Sequence, residues 1–232
     1  MSRSGKKVLL LDLDPHACAT LHARIYPEDL RASLYDIFIT REEHSWAELW
    51  QKIIRPSALQ GMDIAPGSIR LGELEVDFRE RTDKGKVLKR SVGGISEDYD
   101  FLILDCPPHV GILLVNALVA ADLLIIPIQT DFLALHGLKL LFDTLHTLNK
   151  VLPKPIFFRA VPTMYDKRAK ACTRVLELMR HKMKNSLFDT IIGIDTHFRE
   201  ASALGCTIYD IDEQSRGAHN YNALAEEVLR LW

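Results

Sequence analysis

Cysteine is scarce in this chain. Cys18, Cys106, Cys172 and Cys206 lie far apart and form no C-x-x-C pair. That argues against a zinc site or a disulfide framework and suits a reducing compartment, the cytosol. Neither charge is in excess, with 29 Lys and Arg against 31 Asp and Glu. No global field draws the chain to nucleic acid or lipid, so any such contact must come from a local patch. Long apolar runs are missing too. The basic start leads into a short apolar stretch that ends at Asp12, and the run over 111–121 is broken by Asn116 and closed by Asp122. Neither suits a signal peptide or a membrane span. There is no internal repeat, low-complexity tract or Pro/Gly-rich linker, which reads as a single domain over residues 1–232. Nor does G-x-x-x-x-G-K-[ST], the loop whose backbone amides cradle nucleotide phosphates, occur anywhere in these residues. Gly93-Gly94 is not followed by Lys, and no glycine-rich loop precedes Gly5-Lys6-Lys7.

What is present is an ordinary globular balance of 47% hydrophobic and 26% charged residues, which excludes intrinsic disorder. Unbroken apolar runs at 8–13, 101–104, 123–128 and 156–161, with a weaker one at 190–194, predict strands buried on both faces. Another short strand is expected at 62–65. Three- and four-residue apolar spacing predicts helices over 133–151, 168–183 and 217–232. Strand and helix alternate, so the fold class is α/β: a mostly parallel, doubly wound sheet with helices on both faces. The charged stretch 78–90 reads as a solvated helix or loop.

Ligands of open parallel sheets bind beyond the carboxyl ends of the strands. Two predicted strands end there in acids, Leu11-Asp12-Leu13-Asp14-Pro15 and Leu104-Asp105-Cys106-Pro107-Pro108. An apolar strand ending in Asp before a tight turn is the Walker-B arrangement, in which the carboxylate meets magnesium beside nucleotide phosphates. The same pattern serves to cap a following helix, so the residues alone leave both roles open. A receiver-like or flavodoxin-like reading of Asp12 and Asp14 fails, because it expects a unit of roughly 120 residues with a lysine ending a late strand. Here that strand ends Arg159-Ala160-Val161-Pro162.

Four blocks, in order and across nearly the whole chain, resemble the ParA/Soj/MinD group of deviant-Walker-A ATPases, and its ParA branch most. Gly5 to Pro15 resembles the second strand and switch I. Tyr99 to Pro108 resembles Walker B and switch II. Asn116 to Asp122 with Pro127 to Leu138 follows the next helix, strand and helix start. Thr163 to Arg168, Phe198 to Ser202 and Ser215 to Ala218 complete the set. The resemblance implies a P-loop NTPase-like fold, ATP and magnesium as cofactors, a homodimer, a ParB-like activating partner and non-specific DNA. It implies that Asp14 positions the attacking water and that Asp105 supports the metal. It places Cys106, Pro107 and Pro108 in the turn that senses the γ-phosphate, and Met164 and Asp166 around the adenine. Arg199 and Arg216 are its nearest DNA-contact candidates, with an ion pair to Glu200 or Asp195 and a helix-start carbonyl as their plainer duties. The C-terminal residues, Leu229-Arg230-Leu231-Trp232, lack the basic amphipathic tail by which MinD-type relatives hold membranes.

The chain also departs from the pattern. The family's opening strand, K-G-G-x-G-K-T loop and helix have no match in these residues. Since that strand lies inside the family's sheet, its absence is expected either to open two strand edges or to make the neighbours pair directly. After Asp14-Pro15 the family continues Gln-Gly, where this chain has His16-Ala17, and Ala17 narrows the backbone freedom of glycine. His16 could bond a phosphate or the nearby acid. His109 stands where the family often has Ser, and Ile194 and His197 stand where many relatives carry Arg. The leading expectation is a partitioning or positioning ATPase of ParA type, seen here without its phosphate loop. The alternative is a non-catalytic regulatory or adaptor module that pairs with a full-length relative.

Overall fold

The computed structural model describes residues 1–57 and 61–232. The chain divides into two compact units, Met1–Ala121 and Asp122–Trp232.

In the first unit, β1 (Val8–Asp12) is flanked by parallel partners on both sides. β3 (Met62–Ala65) pairs with it from Val8↔Met62 to Leu11↔Ala65. β4 (Phe101–Asp105) pairs from Val8↔Phe101 to Asp12↔Asp105. A two-residue strand, β2 (Arg55–Pro56), adds antiparallel to β3 and completes the order β2-β3-β1-β4. Val8, Leu9 and Leu11 are buried, as a strand covered by helices requires. The cover comes from α1 (Cys18–His22), α2 (Leu34–Ile39), α3 (Trp46–Ile53), α4 (Leu74–Asp77), α5 (Val87–Val92) and α6 (Ile112–Ala120). Ser33 starts α2 with a reciprocal capping box to Asp36. Trp50 fills the core between these layers and satisfies its indole N–H on the Ser91 carbonyl at 2.9 Å. Asn116, fully buried, donates to the Lys84 and Ile112 carbonyls and accepts from Leu88 N–H, tying α6 to the segment before α5.

The second unit holds a parallel pair, β5 (Leu123–Gln129) and β6 (Phe157–Thr163), in register from Leu123↔Phe157 to Gln129↔Thr163. α7 (Phe132–Asn149) and α8 (Lys170–Met183) bury their apolar stripes around Ile126, Ile128 and Ala160. α9 (His197–Leu204), α10 (Ile208–Ile211) and α11 (Arg216–Leu229) follow. Gly217 lets the start of α11 approach closely, because a Cβ there would collide with Ile208 and Phe198.

Three expectations need correction. The weak strand at 190–194 is not one: Ile192 N–H reaches the Pro162 carbonyl and Gly193 forms a single bridge to Tyr165. The charged stretch 78–90 is not wholly solvated. Phe78, Val87 and Leu88 are buried, and Arg81 donates to the Phe38 carbonyl and both oxygens of Asp83. Finally, β4 and β5 carry sequences suited to a sheet interior, yet among the described residues β4 is paired only with β1 and β5 only with β6. The expected burial on both faces is not met at Ile103 and Ile125, which are 40% and 36% exposed.

Candidate nucleotide site

Parallel register brings the two acid-ended strands of the first unit level with each other, with Asp12 opposite Asp105. Asp12 is fully buried. Its Oδ2 accepts from Thr20 N–H at 2.8 Å and Thr20 Oγ1 at 2.7 Å, and its Oδ1 accepts from Asp14 N–H at 3.2 Å. Thr20 Oγ1 in turn accepts from Gly67 N–H at 3.0 Å. Gly67 has no room for a side chain, since a Cβ would sit 2.6 Å from the Asp12 carbonyl oxygen and 3.1 Å from that of Asp14. Asp12 is therefore the anchor of the loop from 13 to 20, and Asp14 is what that loop presents.

Asp14 is half-buried and turns its Oδ1 toward His16, accepting from the backbone N–H at 2.9 Å and lying 2.9 Å from ring Nδ1. Of the two partners open to His16, the structure supplies the acid. Oδ2 of Asp14 takes no hydrogen bond from the described residues. Ala17 caps α1 in the left-handed region, at φ 51° and ψ 37°. An alanine is strained there by about 1 kcal/mol, and glycine is not.

Asp105 stands exposed at the end of β4. Partial desolvation of its carboxyl, together with the charges of Asp12 and Asp14, holds it above the usual carboxylate range. Among the described residues no Lys or Arg forms an ion pair with any of these three acids. Cys106 donates weakly to the Leu104 carbonyl, and burial, then the Asp105 charge, pushes its thiol up to about 12. Pro107 is buried and Pro108 exposed. The chain then enters α6, where the Glu75 carboxylate accepts from Ile112 N–H and lies against Gly111.

Asp14, Asp105 and the turn from Cys106 to Pro108 thus share one end of the first unit. Met164, Asp166, Arg199 and Arg216 belong to the second. Met164 adopts a left-handed conformation, φ 54°, is exposed, and its carbonyl accepts from Thr130 Oγ1. The Asp166 carboxylate is engaged by Arg168 at 2.8 to 3.0 Å, which holds it down at about 2. Arg216 donates to the Ile194 carbonyl, the plainer of the duties open to it. Arg199 is exposed, and among the described residues no ion pair ties it to Glu200 or Asp195. Asp195 instead accepts from His197 and from Gly217 N–H at the start of α11. Thr20, Gly67 and Glu75 escaped the sequence reading. Only Gly67, in a Pro-Gly pair directly after β3, carried a usable signal.

The described residues hold no cluster of three or more His, Cys, Asp or Glu able to bind a metal. One exposed carboxylate at a strand end nevertheless fits magnesium, which keeps most of its waters and takes one or two carboxylates. Phosphates do not fit what is present: no glycine-rich amide cradle precedes a helix, and the nearest charges are three acids.

Parallel strands ending in acids beside tight turns define the class, an α/β nucleotide-binding-type domain. A family model described as an AAA domain matches residues 1–156. The sporulation initiation inhibitor protein Soj of Bacillus subtilis is 32% identical over 97% of this chain and 87% of its own length. The chromosome-partitioning ATPase Soj of Treponema pallidum is 30% identical over 99% of this chain and 87% of its own. The crystal structure of cobyrinic acid a,c-diamide synthase from Mycobacterium smegmatis superposes with a TM-score of 0.83 at 26% identity, over 99% of this chain and 84% of that one. Another structure of that synthase contains ADP and magnesium. With matches of this extent, the chain belongs to the ParA/Soj/MinD family.

Proposed function

We propose that the protein is a partitioning or positioning ATPase of ParA type, which segregates or places a cargo through dimerisation and DNA association. The two units are the halves of one nucleotide-binding domain, residues 1–232. One observation carries the reading: Asp12 and Asp105 end adjacent parallel strands in register, and the buried Asp12 carboxylate anchors the loop that presents Asp14 at the same end. In this reading Asp105 holds magnesium and Asp14 orients water. Cys106, Pro107 and Pro108 form the turn that responds to the nucleotide, and Met164 with Asp166 lines the adenine side. A homodimer and a ParB-like activator are the partners, the nucleoid is the place of work, and the compartment is the cytoplasm. No helix among the described residues is long and apolar enough to cross a membrane.

Turnover decides between this reading and an adaptor. Residues 1–232 alone are expected to show no magnesium-ATP hydrolysis above background, because nothing in them offsets the phosphate charge. Joined behind the strand, K-G-G-x-G-K-T loop and helix of a relative, the same residues are expected to hydrolyse ATP. Hydrolysis by the unjoined chain, lost in Asp14→Ala, would show that its phosphates are held by residues outside the known pattern. A joined chain that folds and pairs with a full-length relative but never turns over supports the adaptor.

A further inference from the structure

In the second unit the segment that follows α8 runs alongside β6 and leaves a cleft of about 210 Å³ between itself and the helix. The floor is apolar, made by Pro162, Leu176, Leu187, Phe188 and Ile191. Pro162, Leu176 and Phe188 are buried, and Leu187 and Ile191 are half-buried. Three charged residues complete the lining. They are Arg180 from the last turn of α8, Lys184 just beyond that helix, and Asp189.

The wall opposite α8 is held in place. Phe188 N–H donates to the Ala160 carbonyl at 2.9 Å and Ile192 N–H to that of Pro162 at 2.8 Å, which laces the segment to β6. From α11, the Glu227 carboxylate accepts from Asp189 N–H at 2.8 Å and from Thr190 N–H at 3.0 Å. Arg159 packs over the Phe188 ring. A cleft fixed in this way has little ordering left to do when a ligand enters, and ordering is where small ligands lose affinity. Among the described residues, the side chains of Arg180, Lys184 and Asp189 form no ion pair or hydrogen bond. Unpaired cations occur elsewhere on the chain. These two differ in sharing an apolar hollow with an unpaired acid. Glu177, three residues before Arg180, is exposed and lies outside the lining.

We infer that this cleft binds a small apolar α-amino acid. Its volume is below the roughly 300–1,000 Å³ of pockets that take drug-sized molecules, so the occupant is small. The floor calls for an aliphatic or aromatic end and the rim for charge. A simple carboxylate would meet Arg180 and Lys184 but bring like charge to Asp189, and an alkylamine would do the reverse. A zwitterion answers all three. Its carboxylate goes to the two cations, its ammonium to Asp189, and its side chain onto Leu176 and Phe188. The cleft lies wholly within the second unit, and its occupancy is independent of the proposed ATPase activity.

The test titrates the full chain with L-leucine, followed by saturation-transfer NMR. Leucine is expected to bind at about 1 mM or tighter. Alanine, with a methyl in place of the isobutyl tail, should bind at least about tenfold more weakly. Isocaproate is leucine without its ammonium and should lose at least about tenfold as well. The double variant Arg180→Gln, Lys184→Gln is expected to weaken leucine at least about tenfold, and Asp189→Asn to remove the preference for leucine over isocaproate. The double variant Lys170→Gln, Arg174→Gln takes the same charge from exposed positions of α8 outside the cleft and should stay within about twofold of wild type. Leucine that shows no saturation up to about 20 mM would overturn the assignment. So would equal losses in the two double variants, or isocaproate binding as tightly as leucine. Unchanged circular dichroism and thermal midpoints confirm that the variants fold.

Discussion

In the form joined to a phosphate-binding loop, Asp14→Ala is expected to lower the maximal rate of ATP hydrolysis by at least about 100-fold, within the range for a positioned acid or base. The geometry says why the loss should appear in the rate rather than in nucleotide affinity. Asp14 has one oxygen committed to its own turn, bonded by the His16 backbone and facing the imidazole, while the other is left without a partner among the described residues. A carboxylate clamped on one side and open on the other is suited to hold a water in line. Because it contributes only negative charge, its removal should leave nucleotide binding equal or tighter. Asp105→Ala should act differently, raising the magnesium concentration needed for half-maximal rate and weakening the response to saturation. A steady-state titration of both variants against ATP and magnesium separates the two effects. Unchanged rates in both would dismiss these assignments.

The second large effect concerns stability. Asp12→Ala strands three donors, the N–H and hydroxyl of Thr20 and the N–H of Asp14, at a fully buried position. Each buried donor left unsatisfied costs about 1–3 kcal/mol. Relief of burying a charge offsets part of that total, so a net loss of roughly 2–4 kcal/mol is expected from urea denaturation. The pH dependence carries a sign that tests the cause. Burial, outweighing the bonds from Thr20 and Asp14, holds Asp12 above its ordinary range. The folded chain therefore binds that proton more tightly than the unfolded chain. The Asp12 contribution to stability falls as pH rises from about 3.9 through the raised folded value. Asp105 works in the same direction, and Asp83, held low by its bonds from Arg81, works in the opposite one. Comparing wild type with Asp12→Ala cancels Asp83, while loss of the Asp12 charge also lessens the upward push on Asp105, which changes the gap in the same direction as Asp12 itself. The stability gap between them should narrow with rising pH across that window, and a gap that widens would contradict a buried charged anchor.

The elements written in unbroken apolar runs were legible before any coordinates. β1, β3, β4 and β5 lie within a residue of their expected limits, and the long helices α7 and α11 start within a residue of theirs but end two and three residues early. Their signals are periodic, and burial on two faces leaves few other choices. Asp105 stands out in the sequence as the acid that closes an apolar strand, whereas Asp14, two residues beyond the Asp12 that ends β1, is singled out only by the family resemblance. The supports of the site were not legible. Thr20 reaches Asp12 across eight residues and Gly67 reaches Thr20 across 47, distances at which no local pattern survives. The 190–194 segment misled because Ile191 and Ile192 read as strand, while the Pro162 carbonyl and the Tyr165 bridge offer only isolated partners. In the stretch 78–90, the charge of Arg81 hid its burial, since a guanidinium can be covered when a carboxylate and a carbonyl receive it.

Cys106 follows Asp105 directly, and its thiol is half-buried and pushed up to about 12, so at neutral pH almost none of it is thiolate. Cys18, by contrast, is exposed. Of the four free thiols an alkylating reagent therefore meets one exposed, Cys18, and three half-buried, of which Cys106 stays silent as long as its turn stays closed. The rate at which Cys106 becomes modified counts the openings of that turn. The protein thus carries its own clock for the motion of the segment beside Asp105, the acid proposed to hold the metal, readable by mass as alkylation accumulates.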